Sequence, residues 1–364
     1  MSRFLEAHRW EAFVAVLVLL AAAWATTLSP YYLDAEQLLF SSRNFVFTGI
    51  MALGLTVVIL TGEMDLSVGS ILAVCTVLLA KCSAAGWPLL AALPLIFVVA
   101  GLLGALNGLL VAGLRLPSLA VTLGTMGAYR GLAFIIGSEV GYTGFDDAYR
   151  WIGSAMVGEI VPVMLLLFVA TLIVFAVVVH LSTFGRYCFA VGSNAPAVRY
   201  SGVSVVRTKI AAYVISGLTA ALGAWIFVGQ FGSARGDNAN GVILGIITSV
   251  VLGGVDINGG RGTVLGVLVS TLFLWTLRNG MGLANIAGPI QQLIIGVLLL
   301  ASVLVSNAVV RRGARARRAI RPAARGAQDP AGLPPPRDRR DPGEQQAAAG
   351  PQDVVERTDE GVNR

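Results

Sequence analysis

The sequence predicts an all-α polytopic membrane protein of about ten transmembrane helices, with both termini cytoplasmic and a disordered C-terminal tail. Three observations lead there. Hydrophobic residues make up 56% of the 364 residues and charged residues only 13%, about half the charge of an average soluble domain. Apolar runs long enough to approach the thickness of a bilayer recur from Glu11 to Ser306. Arginine concentrates in alternate connections between those runs, the bias that orients membrane proteins. The 43 glycines suit helices that approach one another closely.

The first run, Glu11–Leu28, follows Arg3 and Arg9. Its Ala21–Ala25 segment resembles a small-residue cleavage site, but the charge parity works with the run retained as a span. The next runs are Asn44–Leu60, Leu66–Ala80 and Pro88–Ala112, the last followed by Arg115. Ser118–Gly137 comes fifth. The connection Ser138–Ile160 carries Glu139, Asp146, Asp147 and Glu159 against a single arginine, so it belongs on the opposite side from the basic loops. Val161–His180, Thr208–Gly229, Gly241–Leu252, Thr263–Leu277 and Gly288–Ser306 complete the set. The third, eighth and ninth runs are short and interrupted by glycine. With ten spans, the N-terminus, Arg115, the Ser182–Lys209 connection and the Arg311–Arg318 cluster all fall on one side, read as cytoplasmic. The chain divides into a membrane domain, 1–310, and an Arg-, Ala- and Pro-rich tail, 311–364, with no apolar run able to build a core.

Several function classes are excluded by what is missing. Neither lysine, Lys81 or Lys209, follows a phosphate-binding glycine spacing. His8 and His180 lie at the edges of apolar runs, read as interfacial, and support no Ser-His-Asp set. Cys75, Cys82 and Cys188 have no metal or redox spacing and read as small apolar residues. The net charge of +6 lies in the tail and short loops, which is topology rather than a nucleic-acid face. The chain is therefore expected to be no enzyme, to hold no metal and to bind no cofactor.

Charges near apolar runs are few: Glu63, Asp65, Arg130, Asp256 and Arg261. Such charges are expensive in a bilayer and usually functional. Two of the segments match. Gly62, Asp65, Leu66, Ser67 and Gly69 are spaced like Gly253, Asp256, Ile257, Asn258 and Gly260. An internal repeat, common in transporters, and chance similarity in glycine-rich sequence both account for this. Each aspartate, with the Ser67 or Asn258 two residues on, is expected to cap the following helix.

The Ser182–Lys209 connection carries Arg186, Arg199, Arg207 and Lys209 and no acidic residue. Asn194 as N-cap, Pro196 in the first turn and Gly202 as terminator define a short helix, Ala195–Ser201. Two turns are not stable alone in water, so a protein or lipid surface must cover it.

Thr183, Gly185, Arg186, Ala190, Gly192, Asn194, Ala197, Arg199, Ser201 and Gly202, in that spacing, resemble the cytoplasmic coupling loop of the sugar permeases of ATP-binding-cassette importers, the ribose, xylose, arabinose, galactose and rhamnose group. TGEMDLSVGSILA, with Gly62, Asp65, Leu66, Ser67, Gly69 and Ser70, resembles the same family's signature. LPSLAVTLGTMGAYRGLAFII and VLGGVDINGGRGTVLGVL, the latter with Gly253, Gly254 and Asp256, resemble further segments. The likeness runs from about Asn44 to Ser306. Glu63, Met64 and Val198 depart from the family pattern, as does the tail.

The resemblance implies a multi-pass subunit of the bacterial inner membrane. It implies one or two ATP-binding subunits, which use ATP and Mg, a second permease subunit in a homodimer or heterodimer, and an extracytoplasmic sugar-binding protein. Gly185, Arg186, Gly192, Asn194, Pro196, Ala197, Val198, Arg199, Tyr200, Ser201 and Gly202 would form the ATPase-coupling loop. Asn107, Thr122, Thr125, Gln230 and Asn285, polar and uncharged, with Arg130, are the pathway candidates; each also fits interhelical packing. VTLGTMGAYRG and GFDDAYRWIG lean toward the rhamnose or autoinducer-sugar branch. Nucleoside or branched-chain amino-acid permeases of the same superfamily, and an ion-coupled carrier working alone, stand as alternatives.

Overall fold

The computed structural model describes residues 9–29, 32–137 and 141–304. The tail from 311 and the loop positions 138–140 lie outside the described residues, as do Arg3 and His8.

Among the described residues, ten apolar helices match the ten runs. Seven are long and apolar enough to cross a membrane, and three are shorter. In chain order the long ones are α1 (Arg9–Leu28), α2 (Ala35–Leu60), α4 (Leu89–Gly108), α5 (Ser118–Gly137), α7 (Val163–His180), α9 (Val205–Phe231) and α11 (Val264–Leu283). The shorter ones are α3 (Val68–Ala84), α10 (Val242–Leu252) and α12 (Gly288–Leu304). Two further helices, α6 (Asp147–Ser154) and α8 (Thr183–Tyr200), and a hairpin of β1 (Met156–Val157) on β2 (Val161–Pro162), fill connections. The chain is thus an all-α polytopic membrane protein.

Several boundaries differ from the sequence expectation. Helix α2 begins nine residues earlier than Asn44, because Asp34 accepts a hydrogen bond from Glu36 N at 2.9 Å and caps it. The sixth span starts at Val163, since Val161 and Pro162 pair in the hairpin. Helix α11 runs on to Leu283 rather than stopping at Leu277. The connection 182–209 is mostly helical: α8 begins at Thr183 and α9 at Val205. Helix α4 ends in a turn of π-helix, Leu109–Gly113, a local widening that often accompanies function.

Helix α2 is buried all round from Phe45 to Leu60, apart from Thr48. It packs on α7, α9, α10 and α11. Helix α3 is nearly as enclosed, between α4, α5 and α9. The α4–α9 contact is backbone on backbone: a Cβ on Gly104 or Gly217 would strike Tyr213 O or Ala100 O across the helix pair, the small-residue packing of membrane bundles. On the outside, Leu19, Leu90, Leu102, Ile135, Ile173 and Leu300 stand exposed in the isolated chain. In a bilayer these side chains face lipid, and the helices satisfy their own backbone groups.

Candidate functional site

Ser182 starts α8 by accepting a hydrogen bond from Gly185 N at 3.1 Å. The first half of the helix lies against the bundle, burying Gly185, Cys188 and Val191. Arg186 is exposed, with Nη1 3.4 Å from Leu181 O. At Asn194 the backbone leaves helical geometry (φ −162°, ψ 81°), and its Oδ1 accepts from Ala197 N at 3.1 Å. A second short helix restarts there, with Pro196 near its start, and ends before Gly202, whose φ is +79°. The capping geometry expected from the sequence is present. Pro196, Ala197, Arg199 and Ser201 are exposed, Val198 is half-buried, and Tyr200 is 94% exposed. Exposed Tyr and Arg side by side form the kind of surface that partners bury.

The stem of this short helix is anchored by glycines. A Cβ on Gly192 would overlap Leu60 O at the end of α2 and Gly260 N. Gly260 N in turn donates to Leu60 O at 2.9 Å. Gly62, at φ +81°, abuts Asn258 O and Gly192, and Gly259 abuts Gly62 and Gly192. The two matching segments therefore meet, and α8 enters its kink against both. No side chain fits between them.

The two segments also share local geometry. Asp65 Oδ1 accepts from Ser67 N at 3.0 Å, and Asp256 Oδ1 accepts from Asn258 N at 2.9 Å. These are turns of an aspartate onto the residue two ahead. Of the expected caps, Ser67 does stand at the N-cap position of α3, though without a side-chain cap bond, whereas Asp65 turns onto Ser67 and α11 is capped by Thr263 through Gly266 N rather than by Asp256 or Asn258.

Asp65 differs from Asp256 in burial, at 1% exposed. Its Oδ1 also accepts from Ser67 Oγ at 2.7 Å, and its Oδ2 from Ser216 Oγ at 2.9 Å. Burial pushes this carboxyl above the ordinary carboxylate range, and the bonds from Ser67 and Ser216 oppose that. Asn107 Nδ2 donates to Ser67 Oγ at 2.7 Å, and the Tyr129 hydroxyl lies 3.1 Å from Asn107 Oδ1. Tyr213 donates to Met64 O at 2.8 Å. The network ties α3, α4, α5 and α9 to the signature loop. Leu66 is half-buried, and Gly69 and Ser70 are buried at the start of α3. Nearby, Glu63 pairs with Lys209 at the start of α9, so the glutamate that departs from the family pattern has its own partner.

The six pathway candidates lie in separate places. Asn107 belongs to the Asp65 network. Thr122 bonds Ser118 O within its own helix, and Thr125 faces Thr122 O. Arg130 Nη1 pins the α9–α10 loop through Gly236 O at 2.8 Å and Asn238 O at 2.7 Å. Gln230 Nε2 donates to Asn44 Oδ1 at 2.9 Å, and its Oε1 is buried without a partner. Asn285 is exposed, at φ +52° in the turn after α11. Gly253 is buried where α10 meets α11, and Gly254, at φ +83°, is exposed beside Trp10.

A cavity that the sequence did not suggest, about 330 Å³, lies between α2, α10, α11 and the start of α12. Asn44, Thr48, Trp275, Arg278, Asn279 and Gln291 are among its lining residues. Arg278 escaped notice because the ninth run was closed at Leu277; the longer helix places it inside a span.

The comparisons with known proteins agree with one another in kind. The family described as "Branched-chain amino acid transport system / permease component" matches residues 37–303. The Autoinducer 2 import system permease protein LsrD of Klebsiella pneumoniae subsp. pneumoniae is 33% identical over 301 residues, 81% of this chain and 90% of that relative. The protein of the same name from Photorhabdus temperata is 33% identical over 306 residues, 82% of this chain and 91% of the relative. The one from Escherichia coli K12 is 33% identical over 315 residues, 84% and 94% respectively. No solved structure matches.

Proposed function

The chain belongs to the branched-chain amino acid transport system / permease component family, and on that premise we propose that it is the membrane-spanning subunit of an ATP-driven importer of autoinducer 2 or a related monosaccharide. The observation that carries the substrate is the agreement of relatives spanning more than four-fifths of the chain, each named as an autoinducer 2 import permease. It favours the autoinducer-sugar branch over branched-chain amino acids. The buried Asp65, at a span end and held by three hydrogen bonds, is a structural anchor rather than a proton carrier in mid-membrane. That supports an external energy source.

In this reading the chain lies in the bacterial inner membrane with the α8 kink on the cytoplasmic side. An ATP-binding subunit binding ATP and Mg docks on Ala195–Tyr200, with Arg199 and Tyr200 as contacts and Arg186 on the flank. A second permease subunit completes the pathway, and an extracytoplasmic binding protein delivers the solute. Closure of the ATP-binding subunits pushes the short helix, and the glycine contacts at 192 pass that push to both signature loops. The spans on either side then rock between outward-open and inward-open states. Co-reconstitution with the ATP-binding and solute-binding proteins in proteoliposomes tests this. Uptake of autoinducer 2 should require internal ATP and survive collapse of the proton gradient. Leucine uptake in its place, or uptake abolished by an uncoupler at constant ATP, overturns the reading.

A further inference from the structure

The geometry points to the cavity around Arg278 as a ligand site on this subunit, built for a polyhydroxylated molecule and not for an α-amino acid. The assignment rests on the importer reading above and adds to it where on the chain the solute is held. Four features of the cavity carry it.

First, Arg278 lies five residues short of the end of a membrane-spanning helix and finds no hydrogen-bond or ion-pair partner among the described residues. Its side chain is exposed and lines the cavity, and charged residues within spans usually face a water-filled cavity. The guanidinium lies against Gly245 of α10, where a Cβ would sit 2.9 Å from Arg278 Nη2.

Second, the neighbouring amides are oriented by bonds outside the cavity. Asn44 Oδ1 is taken by Gln230, which leaves Asn44 Nδ2 as a donor. Asn279 Nδ2 lies 3.5 Å from Ser41 Oγ, and Gln291 Nε2 donates to Ile286 O at 2.8 Å, which leaves their carbonyl oxygens as acceptors. Donors and acceptors together suit hydroxyl groups, which do both.

Third, the Trp275 indole nitrogen is spent on Ser41 O at 3.0 Å. The ring contributes only apolar surface, of the kind the C–H face of a cyclic polyol covers. Its neighbour Phe45, 5.5 Å away between centroids, holds it in place.

Fourth, no carboxylate among the described residues lines the cavity. An α-amino acid would bury its ammonium there without a counter-charge, which is costly. The cavity is lined by α2 at Asn44, Phe45 and Thr48, while the glycine contact with α8 lies at Leu60, about 24 Å from Asn44 along the same helix. Ligand and coupling surface therefore bear on opposite ends of one rigid element.

The test uses the full reconstituted complex, with autoinducer 2, D-ribose and L-leucine as separate probes. Arg278→Ala is expected to raise KM for the transported polyol about ten-fold or more, the worth of a lost charged hydrogen bond. Gly245→Leu fills the cavity and should abolish uptake. Co-purification of the ATP-binding subunit with each variant reports that it is folded. Wild-type KM in both variants overturns the site, and leucine as the sole transported probe overturns its chemistry. Failure of the wild-type complex to move any probe rejects the importer reading and leaves the cavity to a second measurement. The native cysteines are buried, so a Thr48→Cys variant offers one accessible thiol on the cavity wall. Its labelling by a water-soluble maleimide should be slowed by autoinducer 2 or ribose and not by leucine; a rate unchanged by all three probes overturns the site.

Discussion

Asp65 shows how one side chain can hold a loop against four helices. Its carboxylate accepts from Ser67 N, Ser67 Oγ and Ser216 Oγ, and Ser67 in turn receives Asn107. Removing it strands buried donors, each costing about 1–3 kcal/mol when unpaired. Asp65→Ala should therefore lower stability by about 3 kcal/mol. Asp65→Asn keeps an oxygen for Ser67, and its amide donates to Ser216 Oγ, so its loss should be about 1 kcal/mol. Tryptophan-monitored thermal unfolding in detergent separates them; equal losses would show that the network contributes little. The sequence marked Asp65 through its motif, but not what surrounds it. Tyr213, Ser216 and Asn107 lie on helices distant in the chain, and nothing local announces that they converge. Arg278 was missed for a different reason: a charge near the end of an apolar run reads as the end of the span, and only the packed helix shows that it continues.

At the scale of elements, the kinked helix α8 is the part most specified by local chemistry. Asn194 caps, Pro196 tolerates a first turn, and Gly202 takes the left-handed position, so Ala195–Ser201 could be read before any fold was known. The half preceding it, from Thr183 to Ser193, could not, because its polar, glycine-bearing sequence has weak helical preference. It is helical because Gly185, Cys188 and Val191 pack on the bundle. The two halves carry different predictions. Arg199→Ala with Tyr200→Ala removes exposed side chains that make no hydrogen bond or ion pair among the described residues. It should release the ATP-binding subunit on co-purification while thermal stability stays within about 0.5 kcal/mol of wild type. Gly192→Ala instead drives a methyl group into Leu60 O and Gly260 N. Overpacking of this kind costs about 1–3 kcal/mol. Uptake should fall while the ATP-binding subunit still docks, since the docking surface is untouched. Gly192→Ala with wild-type uptake would show that the glycine contact transmits nothing.

Across the whole molecule, hydropathy located the ten apolar helices but not their arrangement. Of the seven long helices, the most apolar, α4 and α7, lie mostly at the periphery, whereas α2, less apolar, is the enclosed centre. Lipid is as apolar as any protein core, so hydrophobicity cannot sort inside from outside in a bilayer. Small and polar residues do: Ser41, Ser42, Gly49, Gly54 and Thr56 line α2, and a soluble protein would read that helix as the poorer core. Leu102 and Leu53 turn this inversion into a test. Leu102, 64% exposed in the middle of α4, and Leu53, 1% exposed in α2, are equally apolar in sequence. Leu53→Ala leaves a cavity and should cost about 2–5 kcal/mol, whereas Leu102→Ala leaves a groove that a lipid chain fills and should be nearly silent. Leu102→Arg reverses the soluble expectation altogether. On a water-exposed surface an arginine at such a site is harmless, but in the bilayer it costs about 2.5–3.5 kcal/mol on insertion scales. The variant should be depleted from the membrane fraction relative to wild type, as quantified by immunoblotting of separated membranes. Normal membrane levels of Leu102→Arg would place α4 away from lipid, against a partner subunit or a water-filled space.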